Sequence, residues 1–106
     1  MGSNTEHHVS LRDLRNLLAG EGGVDLVPVS DGEHTVMRIV GVRPGTTAAR
    51  LGAQDDDTIE TINDLPLDNV GAAYRAGDAA IEKPRIVIRG KRAGTTYETT
   101  LVVDRR

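Results

Sequence analysis

The chain has 106 residues and a formal net charge of −3, so it has room for one domain with a small core. Its hydrophobic fraction of 38% comes almost wholly from Val, Ile, Leu and Ala, because Phe, Trp and Cys are absent and there are only two tyrosines. A core of branched aliphatics favours strands over a helical bundle. The absence of cysteine excludes disulfides, thiolate nucleophiles and cysteine zinc sites, and the dispersed basic residues give no support to nucleic-acid binding.

No apolar run approaches the ~20 residues of a spanning helix, so we expect any membrane attachment to lie in a segment outside this chain. The opening Met1-Gly2-Ser3 resembles a remnant of expression rather than a signal peptide. We therefore expect residues 1–9 to form a disordered leader, residues 10–23 an N-terminal helix with a linker, and residues 24–106 a domain excised from a longer protein.

The first predicted helix covers residues 11–19, because leucines recur at helical spacing and glycines follow. Ser10 is its predicted N-cap, with Asp13 at the third helical position. Residues 24–29 form a short strand pattern in which Pro28 suits a sheet edge or a strand end. After turn chemistry at residues 30–33, the strand 34–42 carries apolar side chains on both faces, which predicts a central strand buried on both sides.

The second half of the chain alternates short strands and helices. Pro44-Gly45 ends the preceding strand, and Asn63-Asp64 is a turn dipeptide in which both residues tolerate positive φ. The remaining predicted elements are a short helix capped by Thr46 or Thr47 over residues 48–51, a strand over 58–62, a helix capped by Asp68 and ending near Glu82, and strands over 85–89 and 96–103 joined at Ala93-Gly94. This order predicts an α+β, mainly β fold: a small antiparallel barrel or sandwich with two helices plus the N-terminal helix.

Two segments resemble the PDZ domain family. Residues 42–54 follow its pattern of a strand, a Pro-Gly turn, a small-residue helix, a glycine and an acidic turn. Residues 57–67 resemble its aspartate, strand, turn and small apolar pair. With the later helix and strands the resemblance extends over residues 24–103, and it implies a PDZ-like fold and a module that binds peptides or proteins.

Within that family the chain is most similar to the PDZ domain of type II secretion system protein C. The matching features are the leucine-bearing helix over residues 11–18, Val27-Pro28 at the end of a strand, and Arg43-Pro44-Gly45 at the exit of the next. The resemblance implies a periplasmic domain of a protein anchored in the bacterial inner membrane. Its partner would be a secreted exoprotein or another subunit of the secretion machine.

The sequence departs from the family pattern at several turns. The family usually has leucine in place of Ala53 and glycine in place of Asp56 and Asp64, so both aspartates are expected to adopt positive φ. Many PDZ domains also have a glycine-containing loop that receives a peptide carboxylate, and the resemblance assigns it to residues 31–34. Two acids in that loop would repel a free carboxylate, which argues against ordinary recognition of C-terminal peptides.

Catalysis within this chain is not expected. None of the three serines lies in a nucleophile-elbow pattern, and no thiol is available. The run Asp55-Asp56-Asp57 lacks the glycine and the distal glutamate of a calcium loop, so we interpret it as a turn. His34 is a candidate ligand contact, although a surface histidine without a role is the more common case. We expect no metal and no cofactor.

The predicted mechanism is strand addition, in which a partner segment pairs with an exposed edge of the strand over residues 35–39 and lies against the helix over 69–82. Two alternatives stay open: a regulatory PDZ domain of a high-temperature-requirement serine protease or a site-2 protease, and a structural or dimerising module with a filled groove. The predicted groove residues are Gly32, His34, Thr35, Val36, Met37, Arg38, Ile39, Val70, Ala73, Tyr74 and Gly77.

Overall fold

The structure is a computed structural model and describes residues 3–18, 23–32 and 34–104. In these residues the chain forms strands and three helices around one core. The elements are β1 (Ser3–Ser10), α1 (Leu11–Leu18), β2 (Asp25–Asp31), β3 (His34–Val40), α2 (Thr47–Arg50), β4 (Thr58–Ile62), β5 (Leu65–Pro66), α3 (Val70–Ala80), β6 (Arg85–Arg92) and β7 (Thr95–Asp104).

The strands form a mixed sheet in the order β1-β7-β6-β4-β3-β2, with β5 paired to β4. All pairs are antiparallel except β1 with β7, which is parallel. Strand β2 therefore forms one end of the sheet and β1 forms the other. The mainly β fold predicted from the sequence is confirmed, and β3 is an interior strand as expected.

The prediction of a disordered leader was wrong for the residues of β1. This strand pairs with β7 from Ser3 opposite Tyr97 to Ser10 opposite Asp104. Its sequence shows no apolar periodicity: Val9 is buried, whereas Thr5, Glu6 and His8 make polar contacts with Thr99, Arg85 and Asp104. Backbone pairing needs no hydrophobic pattern, so a prediction from hydrophobic periodicity could not identify this strand.

Side-chain caps begin the helices at the predicted serine and threonine but not at the predicted aspartate. The Ser10 hydroxyl accepts a hydrogen bond from the Asp13 N–H at 3.1 Å, and Thr46 caps α2 in the same way through Ala49. The cap of α3 is Asn69, whose side-chain oxygen accepts from the Ala72 N–H at 2.8 Å. Asp68 is one residue too early, because α3 begins at Val70 and the N-cap is the residue directly before it.

Strands β6 and β7 extend beyond their predicted ends as one long hairpin. The ladder continues through Gly90 to the pair Arg92 and Thr95, and the turn residues Ala93 and Gly94 both have positive φ, at 51° and 80°. These are the dihedrals of a two-residue hairpin turn. The sequence did not predict this extension, because the charged residues after Gly90 are not typical of a strand.

The expected left-handed aspartates are confirmed: φ is 71° at Asp56 and 67° at Asp64. Each carboxylate pairs with an arginine on a neighbouring strand, Asp56 with Arg38 and Asp64 with Arg89. Aspartate tolerates this conformation better than most residues, so glycine is not required at either turn.

The core lies between the sheet and the helices, and α1 contacts β1, β7 and both other helices. Its fully buried large side chains are Leu14, Met37, Leu67 and Leu101. Among the described residues no helix is both long enough and apolar enough to cross a membrane.

Candidate functional site

The exposed strand edge belongs to β2 and not to β3. The whole of β3 pairs with β2 on one side, and Met37 and Arg38 pair with β4 on the other. The sequence analysis was therefore wrong to expect an exposed edge along residues 35–39. In the described part of the chain, no strand pairs with the outer side of β2, so we call that side the free edge.

The hydrogen bonds of Ile39 show which backbone groups of β2 face outward. The Ile39 N–H donates to the Asp57 carbonyl at 2.7 Å, and the Asp56 N–H donates to the Ile39 carbonyl at 2.8 Å, so Ile39 faces away from β2. The backbone N–H and C=O groups of successive residues in a strand point alternately to its two sides, so the residues before and after Ile39 direct theirs toward β2. By the register of the pair, the outward-facing residues of the free edge are Leu26, Pro28 and Ser30.

Helix α3 presents a stripe of side chains at i, i+4 and i+8: Val70, Tyr74 and Asp78. Val70 is 45% exposed and Tyr74 is 65% exposed, and across from them Leu26 is 46% exposed. Large apolar side chains that stay half exposed on two facing elements commonly mark a place where another molecule binds. We call the space between the free edge and this stripe the groove.

The groove opens into a cavity of about 360 Å³ whose walls are mostly apolar. Leu17 of α1 lines it, as do Val24 and Leu26 beside the free edge and Ile62, Leu67 and Leu101 in the interior. This volume lies within the usual size range of small-molecule and side-chain pockets. With no Phe or Trp in the chain, the aliphatic side chains leave space between the sheet and α3.

The structure brings about half of the predicted groove residues together. Six of them line the cavity: Met37, Ile39, Val70, Ala73, Tyr74 and Gly77. The other five do not line it: Gly32, His34, Thr35, Val36 and Arg38. Arg38 is exposed and donates from Nε to Asp56 at 2.9 Å, so its side chain lies on the surface of the sheet and not in the groove.

Of the segment assigned to carboxylate binding, residues 31–34, the described residues Asp31, Gly32 and His34 lie at the end of the β2–β3 hairpin, and Glu33 lies outside the described residues. Asp31 pairs with His34 at this end, and Gly32 has a φ of 66° with no atom within 4 Å of an added Cβ. Neither Gly32 nor His34 lines the cavity, because the turn lies at the end of β2 opposite to Leu26.

Asp57 is 1% exposed and is the charged group at the interior end of the cavity. Its carboxylate accepts from Arg92 Nε at 2.9 Å, from Arg92 Nη2 at 2.7 Å and from the Gln54 N–H at 3.1 Å. Arg92 also donates to the Gly52 carbonyl at 2.9 Å. Hydrogen bonding to Asp57 raises the pKa of Arg92, and these contacts tie β6 to the turn that precedes β4.

Tyr97 packs under this ion pair, with the Arg92 guanidinium 5.1 Å from the centre of its ring. Desolvation, and secondly the charge of Asp57, raises the pKa of Tyr97 to about 12. We expect a Tyr74→Phe variant, in which Tyr97 is the only tyrosine, to show tyrosinate absorbance with a midpoint near that value. A midpoint near the usual value of about 10 would mean that water reaches the ring.

The same shift predicts a loss of stability at high pH. The pKa of Tyr97 is higher in the folded chain than in the unfolded chain, which ionises near the usual value of about 10. The contribution of Tyr97 to the free energy of unfolding is therefore complete below about pH 10 and is lost as the pH rises from there to about 12. Tyr97→Phe removes this dependence and is the control for other groups that titrate in the same range.

The three consecutive aspartates diverge, as the interpretation as a turn requires. Asp55 accepts from the Val42 N–H at 2.7 Å, Asp56 pairs with Arg38, and Asp57 is buried against Arg92. Within the described ranges no three His, Asp or Glu side chains are grouped as metal ligands. The hydroxyls of Ser10 and Ser30 are likewise engaged, the first in the α1 cap and the second with the Gly32 carbonyl.

Sequence reasoning missed several residues of the site: Leu17, Val24, Leu26, Asp78, Arg92 and Tyr97. One signal was present for the first part of β2, because Pro28 marked its strand as an edge. No sequence signal connects Asp57 to Arg92, which lies 35 residues later on another strand.

Comparison with known proteins found structural neighbours only. No family model and no curated protein matches the chain. Two solved structures of the PDZ domain of EpsC from Vibrio cholerae match it with TM-scores of 0.64 and 0.56, both at 17% identity. They cover 86% and 76% of this chain, and 88% and 94% of their own.

The PDZ domain of the pullulanase C protein of the type II secretion system from Klebsiella pneumoniae, solved in complex with a fatty acid, matches with a TM-score of 0.58 at 20% identity. That match covers 87% of this chain and 97% of the other. This chain has the fold of a PDZ domain. In this fold the groove lies between the edge strand β2 and the helix α3.

Proposed function

We propose that the chain is a non-catalytic module that binds a segment of another protein as an added strand on β2, against α3. The observation that carries this proposal is the coincidence of a free edge, exposed apolar side chains and one cavity at the same place. Strand addition obtains affinity from main-chain hydrogen bonds and specificity from side-chain pockets, and the groove offers both.

The groove residues of this proposal are those that line the cavity, and Leu26 among them pairs with the added strand. His34, Thr35 and Arg38 have no part in it. The similarity to the Vibrio and Klebsiella domains supports a role as a periplasmic module of a type II secretion system, in a protein anchored in the inner membrane. The partner is then an exoprotein or another subunit of the machine.

Two variants of α3 test the groove with the same chemical change. Ala73 lines the cavity and Ala79 is exposed on the same helix outside it, so Ala→Leu adds the same side chain with the same effect on helix propensity. We expect Ala73→Leu to weaken peptide binding about 10-fold or more by filling the anchor pocket, and Ala79→Leu to leave it unchanged.

The measurement is an NMR titration with a library of short peptides, mapped on the backbone amides. Shifts at Leu26 together with residues 70–78 support strand addition. Equal affinities for both variants, or no shift in the groove with any peptide, would contradict the proposal and favour a structural module with a filled groove.

A second candidate ligand is a single acyl chain, because the cavity is mostly apolar and the Klebsiella domain was solved with a fatty acid. Titration with decanoate separates the two. An acyl chain inside the cavity shifts the interior residues Ile62 and Leu101, whereas an added strand shifts the backbone amide of Leu26 first.

A further inference from the structure

The free edge offers few hydrogen bonds to a partner strand. Of its outward residues, Leu26 and Ser30 present both an N–H and a C=O, but Pro28 between them has no N–H. Only Leu26 also lines the cavity. A partner strand can therefore form a two-way hydrogen-bonded pair at Leu26 and then meets a position that accepts but does not donate.

The pairing at Leu26 fixes where the partner's side chains lie. Directly opposite residues of neighbouring strands share a face, so the partner residue paired with Leu26 directs its side chain toward the cavity. In an antiparallel pair, the next residue of the partner lies opposite Asp25, on the other face. The anchor position thus meets apolar walls, and the position after it meets a carboxylate.

The charges at the cavity complement a cation. Asp57, Asp78 and Arg92 line it, and so does Asp25, although its side chain leaves β2 on the opposite face to that of Leu26. Asp57 and Arg92 neutralise each other, whereas the side-chain carboxylates of Asp25 and Asp78 make no hydrogen bond or ion pair with any residue in the described ranges. The net charge that a ligand meets is negative, which disfavours a terminal carboxylate beside Asp25.

We propose that the ligand is an internal, extended segment of another protein in which an apolar anchor residue is followed by Lys or Arg. The anchor pairs with Leu26 and enters the cavity, and the cation lies beside Asp25. This inference rests on the proposed function, because it names the ligand of the same groove.

Short synthetic peptides test the order and the sign of the charge. The probe is acetylated and amidated Ser-Thr-Leu-Lys-Ser-Thr, compared with the same peptide carrying Glu in place of Lys and with a peptide in which Leu and Lys are exchanged. We expect the Leu-Lys peptide to bind about 3-fold or more tightly than either, since cross-strand charge pairs contribute at this level. The preference should shrink as salt is added.

Asp25→Asn should reduce the preference for Lys over Glu to less than half of its value. Asp68→Asn is the matched control, because Asp68 is exposed and does not line the cavity. Pro28→Ala restores the missing donor, and we expect it to tighten binding of the Leu-Lys peptide about 2- to 10-fold. Thermal unfolding of each variant verifies that it is folded.

The outcomes separate the two proposals. Groove shifts with no preference for Lys, or a preference that survives Asp25→Asn, overturn this inference and leave strand addition in place. If none of the peptides, and no library peptide, shifts the groove residues, strand addition itself fails, and the inference fails with it.

Discussion

Gly90→Ala is expected to lower the free energy of unfolding by about 3 kcal/mol or more, because β6 and β4 touch there through backbone atoms. A Cβ on Gly90 would lie 1.7 Å from the Thr58 carbonyl oxygen and 2.7 Å from the Thr58 carbonyl carbon. Gly90 also lies opposite Ile59, where the register of the two strands shifts. No side chain can rotate away to relieve this contact, so the strands must separate and lose ladder hydrogen bonds.

Gly94→Ala is the matched control. Gly94 lies on the hairpin that β6 begins, and an added Cβ there has no atom within 4 Å. Its φ of 80° still penalises alanine, by about 1 kcal/mol. Urea denaturation of both variants measures the difference. A loss at Gly90 as small as that at Gly94 would show that β4 and β6 can part locally at little cost.

The role of Gly90 illustrates which parts of the fold the sequence could predict. Elements with a strong local signal, such as β4 and the Ser10 cap, lie where alternation and capping chemistry placed them. The predicted strand ended at Arg89, directly before Gly90, although a glycine inside a strand also signals close approach of another backbone. Choosing between these meanings requires the partner strand, which is 31 or 32 residues earlier in sequence, at Thr58 and Ile59.

The helical side of the groove was predicted well, whereas on its strand side only Met37 and Ile39 of the predicted residues line the cavity. Val70, Ala73, Tyr74 and Gly77 share a helix face, and helical periodicity is visible in the sequence. The strand side was assigned to β3 because strand pairing depends on the order of the sheet, which no local pattern encodes. Pro28 pointed to β2 as the edge, since a missing N–H is tolerated only where no strand pairs with it.

Arg92→Met is expected to destabilise the chain by about 3 to 5 kcal/mol, because it leaves the Asp57 carboxylate buried with one remaining donor. The side chain of Asp57 is only 2% exposed, and its other hydrogen bond comes from the Gln54 N–H. Arg89→Met, on the same strand, is the control: Arg89 pairs with the carboxylates of Asp64 and Glu98 but lies half exposed. Because water screens this exposed pair, its loss should cost much less than the loss of Arg92.

A second substitution then separates the cost of an unpaired charge from the cost of lost contacts. Asp57→Asn combined with Arg92→Met removes both charges and keeps an oxygen for the Gln54 N–H, so the double variant should be more stable than Arg92→Met alone by about 1 to 2 kcal/mol. Urea denaturation of the four members of this cycle gives the coupling energy. If the double variant is instead less stable than Arg92→Met, the pair stabilises the chain through its contacts with Gly52 and Tyr97 more than through its charges. If the double variant is stable, a peptide titration of it tests whether binding requires the ion pair at the interior end of the cavity.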